Sequence, residues 1–125
     1  MAPRFDRDAP GEGPLVRGFA GRDFRIGEEI YHAALITPRG AQGWRPPPLE
    51  RLAAADLEAL LDLDPAPEFV LLGTGASFAL PPAALRLALE ERGVGLEAMD
   101  SRAAARAWGV LRGEMRWIAA ALMPL

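Results

Sequence analysis

Glu68 to Pro82 reads E-F-V-L-L-G-T-G-A-S-F-A-L-P-P. The apolar run Phe69–Leu72 breaks into Gly73-Thr74-Gly75, and a helical pattern opened by a proline follows. Buried strand, tight glycine loop, helix start: this is the repeating unit of an α/β sheet. In open sheets of that kind ligands sit in the crevice beyond the strand ends.

The pattern continues downstream. Pro82 to about Arg92 predicts a helix, with Pro at its start and Gly93 just past its end. Its inner face is Leu85, Ala88 and Leu89. Leu96–Met99 predicts a short strand. Asp100 or Ser101 is placed to cap the next helix, because a side-chain oxygen there accepts an orphan N–H of the first turn. That helix runs to about Arg112, with Ala104, Ala107, Trp108 and Leu111 as its stripe and Arg102, Arg106 and Arg112 outside. Trp117–Met123 is an apolar strand stopped by Pro124.

Upstream the signals are shorter. Leu15–Ala20 and Phe24–Ile26 predict strands, and Ile30–Thr37 predicts one strand with two apolar faces. Pro38-Arg39-Gly40 is a turn, and Trp44 closes a further short strand before the stiff Pro46-Pro47-Pro48 connector. Leu52–Asp62 predicts a helix striped by Leu57, Leu60 and Leu61. Residues 1–13 read as a loose polar tail and 14–125 as one α/β domain, a mixed sheet with helices on its faces.

Composition narrows the chemistry. The chain has 125 residues, half of them hydrophobic, and a net charge of −3. That charge leaves no basic footprint for nucleic acid. Every cation is an arginine, so Schiff-base chemistry through lysine is excluded. No cysteine is present and His32 is the single histidine, which excludes thiolate catalysis and a Cys/His zinc site. Carboxylate-only binding of Mg²⁺ or Ca²⁺ has no motif, and no metal or cofactor is expected. No apolar run approaches the roughly 18 residues of a membrane span, and no secretory signal opens the chain. A cytoplasmic protein without direct membrane insertion is expected.

The candidate ligand-binding residues are Gly73, Thr74, Gly75 and Ser77, with Asp100 at the end of the neighbouring strand. A glycine loop lets backbone N–H groups approach an anion. The dinucleotide fingerprint, however, needs a third glycine where Phe78 stands, and the P-loop needs a lysine. A tight turn requiring positive φ is the plainer reading. Arg86, Arg106 and Arg112 are the candidate partner-binding residues. A solvated helix face accounts for them equally. His32 reads as a hydrogen-bonded core or edge residue, and no Ser–His pair accompanies it.

Four motifs carry a family resemblance: P-x-P-E-F-V-L-L-G-T-G from Pro65, L-P-P-x-x-L-R from Leu80, R-G-V-G-L-E-A-M-D-S over 92–101, and W-I-A-A-A-L-M-P from Trp117. Together they resemble the family of small uncharacterised domains that includes respiratory complex I assembly factor 3 and the adipogenesis-associated domain protein. The chain looks like a bacterial stand-alone member. The resemblance implies a three-layer α/β fold around a central mixed five-stranded sheet, the last strand antiparallel to the others. It implies no assigned catalysis. Related bacterial sequences usually carry a Cys and then Thr-Tyr-Asn in the last helix, where this chain has Ala105, Ala107, Trp108 and Gly109.

Three functions follow, in this order. The first is a non-catalytic protein-interaction module, an assembly factor whose partners are subunits of a respiratory or other inner-membrane complex. The second is a small-molecule or anion binder, or an enzyme, using the glycine loop. The third is a structural homo-oligomer joined through the Trp44 region and the Trp117 strand.

Overall fold

The computed structural model describes residues 13–125. The expected tail therefore lies, except for Gly13, outside the described residues. The strands are β1 (Val16–Ala20), β2 (Asp23–Ile26), β3 (Glu29–Tyr31), β4 (Ala34–Thr37), β5 (Gly40–Gly43), β6 (Phe69–Gly73), β7 (Gly95–Met99) and β8 (Ala119–Leu122). The helices are α1 (Glu58–Leu61), α2 (Ala83–Glu91) and α3 (Ser101–Gly113).

Two sheets result. β1, β2 and β3 form a small antiparallel meander. The central sheet has the order β5-β4-β8-β6-β7. β6 is parallel to β7 and to β8, whereas β4 is antiparallel to β8 and to β5. The expected antiparallel last strand is thus corrected. β8 opposes only β4, and β4 is the strand that runs against the rest. The cause is the connection: a helical crossover, α2 and then α3, returns the chain parallel to the strand it left.

The sheet divides the core into two layers because strand side chains alternate between faces. Val70, Leu72, Ala119 and Ala121 point to α1 and α2, where Leu57, Leu60, Leu85 and Leu89 meet them. Leu71, Ala120 and Leu122 point to α3 and the small sheet, against Ala104, Trp108, Phe24 and Ile26. The architecture is therefore the expected three-layer α/β fold. No helix among the described residues is long and apolar enough to cross a membrane.

Three local expectations change. Ile30–Thr37 is two strands, because the chain bends at His32–Ala33 and passes from the small sheet to the central one. Both faces of that run are apolar because it serves two cores. The Leu52–Asp62 helix shrinks to 3-10 turns at Leu49–Arg51 and Ala54–Leu57 followed by the single turn of α1. On α3 the buried set is Ser101, Ala104, Ala105, Trp108 and Arg112. Arg112 is thus inside rather than outside. Near the helix C-terminus, its Nη1 donates to the Arg116 carbonyl at 2.7 Å while its stem is buried.

Candidate functional site

The end of β6 meets the start of α3 at the glycine loop. Gly73 is glycine because of that approach, since a β-carbon built on it would stand 2.7 Å from Ser101 Cα. Gly75 is glycine for conformation, with φ at +113°. The turn expected of this loop is present, and its positive-φ position is the second glycine.

Backbone and hydroxyl groups lock the junction. The Ser101 hydroxyl accepts the Gly75 N–H at 2.9 Å and donates to the Met123 carbonyl at 2.8 Å. The Ser101 N–H donates to the Gly75 carbonyl at 2.8 Å, and the Met123 N–H to the Gly73 carbonyl at 3.0 Å. The Thr74 N–H donates to the Met99 carbonyl at 2.8 Å. Thr74 Oγ1 donates to the Ser77 carbonyl at 2.8 Å and accepts the Ala79 N–H at 3.1 Å. Asp100 caps α3, accepting the Ala103 N–H at 2.8 Å.

The structure therefore brings Gly73, Thr74, Gly75 and Asp100 to one junction, with Ser77 exposed on the loop beyond it. The amides that would cradle an anion, those of Thr74 and Gly75, already have protein acceptors. An anion there would have to displace them. Phe78 and Leu80 are two exposed apolar residues (56% and 79% accessible) on one loop. From its place after β7, Ser101 reads as a helix cap beside the same crevice. Its place as a buried tie between loop, helix and β8 was missed, and the signal was the pairing of Gly73 with the D-S step after β7.

The three arginines do not share a surface. Arg86 lies on the α2 layer, where its Nη1 donates to the Leu96 carbonyl at 2.8 Å. Arg106 is exposed on α3, in the opposite layer, beside a cavity of about 210 Å³ under Val16, Phe19 and Ala105. Arg112 is buried. His32 is exposed at the bend between the sheets, its Nδ1 2.9 Å from Asp23 Oδ1. No group of three His, Cys, Asp or Glu able to hold a metal ion occurs among the described residues.

One ion pair perturbs titration. Arg116 donates to Glu68 through Nε at 3.1 Å and Nη2 at 2.8 Å. These bonds hold the Glu68 carboxyl below the usual carboxylate range and raise Arg116 in turn. Both groups are largely solvated, so the pair orients Glu68 beside Trp117 and contributes little to stability.

The chain is similar in sequence and fold to known proteins. The chain is 35% identical to an uncharacterised protein of Rhodobacter capsulatus, covering all of this chain and 94% of that one. It is 27% identical to NADH dehydrogenase [ubiquinone] 1 alpha subcomplex assembly factor 3 of Danio rerio, over 90% of this chain and 65% of the fish protein. Among solved structures, a Bordetella parapertussis protein superposes with a TM-score of 0.77 at 30% identity, covering 90% of this chain and 96% of that one. The model of the family described as protein of unknown function (DUF498/DUF598) matches residues 16–123, and the chain belongs to that family.

Proposed function

We propose that the chain is a non-catalytic protein-interaction module that serves the assembly of a membrane complex. One observation carries this reading. The junction of Gly73, Thr74, Gly75 and Ser101 binds its own polar groups, while Phe78 and Leu80 beside it face solvent. A loop built so is a rigid support for an apolar contact rather than a cradle for an anion. Exposed apolar residues held on an ordered loop fit a protein partner. The likeness to an assembly factor over 90% of this chain supports the same direction.

The partner contact in this reading is the Ser77–Leu80 loop, with Arg86 on the helix that follows and Arg106 on the opposite layer as separate peripheral contacts. Cross-linked affinity capture from the native organism tests it, with wild type beside a Phe78→Ser/Leu80→Ser variant of equal melting temperature. Wild type is expected to recover membrane-complex subunits that the variant loses. Recovery of nothing above background by wild type overturns the reading. The small-molecule alternative at Gly73, Thr74, Gly75, Ser77 and Asp100 is then tested by thermal shift with inorganic phosphate. A ligand at 100 times its dissociation constant adds about 2.7 kcal/mol.

A further inference from the structure

The two edges of the central sheet are treated differently. At β7, Gly95 donates to the Glu68 carbonyl and Met99 accepts from Thr74, so these residues face β6. By alternation the backbone N–H and C=O groups of Leu96 and Ala98 point away from the sheet. The Leu96 carbonyl is capped by Arg86 Nη1 at 2.8 Å, and the exposed Glu97 charge sits on the same strand. This is a guarded edge.

β5 is unguarded. The Trp44 N–H donates to the Ala33 carbonyl at 3.1 Å, so Trp44, Gln42 and Gly40 are the residues bonded to β4 in the antiparallel register. Ala41 and Gly43 therefore direct their N–H and C=O groups away from the sheet. The strand reads Gly-Ala-Gln-Gly, with no charge, no proline and no bulge. Its residues are half-buried or exposed.

Two cavities open beside this strand on opposite faces. One, of about 260 Å³, lies between Gln42, Leu35 and Leu60 on the α1 side. The other, of about 600 Å³, lies between Gly43, Tyr31 and His32 on the side of the small sheet. An added strand places successive side chains on alternate faces, so it reaches both. Exposed Arg45 stands at one end and lines the larger cavity, whereas Arg39 at the other end is turned inward, its Nη2 donating to the Asp64 carbonyl at 3.0 Å and its guanidinium 5.5 Å over the Trp117 ring.

We infer that the outer edge of β5 is a docking strand for an acidic extended segment of another protein, which adds to the sheet beside Ala41 and Gly43. Backbone bonds to those two residues supply the pairing, the two cavities accept alternate side chains, and Arg45 selects a carboxylate. A second copy of this chain fits less well. The β5 strand of another copy, Gly40–Gly43 between Arg39 and Arg45, brings no carboxylate to meet Arg45. The inference rests on the interaction-module reading only for the existence of a partner.

The test uses two short synthetic peptides of alternating valine and threonine, one closed by aspartate at each end and one by lysine. Fluorescence anisotropy is expected to report binding of the aspartate peptide, with amide shifts in NMR at Ala41 and Gly43. Ala41→Pro removes an outward donor and leaves the β4 ladder intact, since proline is tolerated on an edge whose N–H faces solvent. It should weaken binding about tenfold, the equivalent of roughly one hydrogen bond. Independently of the backbone, Arg45→Glu should weaken the aspartate peptide and strengthen the lysine peptide. Equal binding by wild type and both variants overturns the inference. So do shifts that map away from β5, or Ala41 and Gly43 amides already protected from exchange in the isolated monomer. A wild-type dimer that Ala41→Pro converts to monomer also overturns it and gives the edge to a second copy. Peptide binding is read without the native partner, so its failure and a failed capture are separate results.

Discussion

Gly73 and Ser101 occupy a space with no room for a β-carbon: one built on Gly73 would stand 2.7 Å from both the Cα and the Oγ of Ser101. The obstructing Cα is backbone, so no rotamer change relieves the clash. α3 would have to move off the sheet.

Gly73→Ala should therefore destabilise the protein by about 2–3 kcal/mol, the upper part of the overpacking range. The denaturant midpoint should fall with the slope unchanged. A midpoint equal to wild type would show that α3 yields without cost.

Ser101→Ala tests the other half of the pair. The hydroxyl is fully buried and makes one bond as acceptor and one as donor. Removing it leaves the Gly75 N–H without its acceptor and the Met123 carbonyl without that donor. Each buried orphan costs about 1–3 kcal/mol, so a loss of roughly 2–6 kcal/mol is expected in urea unfolding. A loss no larger than that of an exposed serine would place water in the gap.

Trp108→Phe separates packing from hydrogen bonding. The indole is fully buried, and its Nε1 donates to the Pro14 carbonyl at 2.7 Å, tying α3 to the chain entering β1. Phenylalanine keeps most of the apolar contact and drops the donor. A loss of about 1–3 kcal/mol is expected, together with faster hydrogen exchange over Val16–Ala20. Unchanged exchange in β1 would show that packing, including Phe24, Ile26 and Val16, holds the small sheet without the indole bond.

The Glu68–Arg116 pair makes a pH-dependent contribution. The folded-state value of Glu68 is depressed by the Arg116 hydrogen bonds. Its contribution is therefore complete above the unfolded value of about 4.3 and lost as pH falls through the lower folded value. Wild type should exceed Glu68→Gln slightly in melting temperature at neutral pH. The gap should close in acid and shrink in high salt, as expected of an exposed pair. A gap that persists in acid would assign the difference to the Trp117 N–H contact with Glu68 Oε2 at 3.4 Å.

The second half of the fold was legible because each element carries its own signal. Phe69–Leu72 is continuously apolar and ends in glycine, Leu85 and Leu89 sit one turn apart, and Asp100 caps where an orphan N–H needs it. The first half was less so. In Ile30–Thr37 an apolar residue on either face means burial, and nothing local says that the two ends belong to different sheets. β8 reads as a strand from Trp117–Met123, but its position between β4 and β6 depends on which distant strands it meets. At the candidate site, the glycine turn was readable and the Ser101 tie was not, because its partners Gly75 and Met123 lie 26 and 22 residues away. Arg112 was misplaced because charge outweighs a long apolar stem in any pattern reading.

β8 comes after every other strand in chain order, yet it lies between them, with β4–β5 on one side and β6–β7 on the other. During synthesis the two flanking pairs have no ladder joining them until Ala119–Leu122 leaves the ribosome. Until that moment β4 and β6 each offer an open, apolar flank to any other strand in reach. The time spent in that state is when a nascent chain of this fold is most exposed to mispairing and most in need of a chaperone.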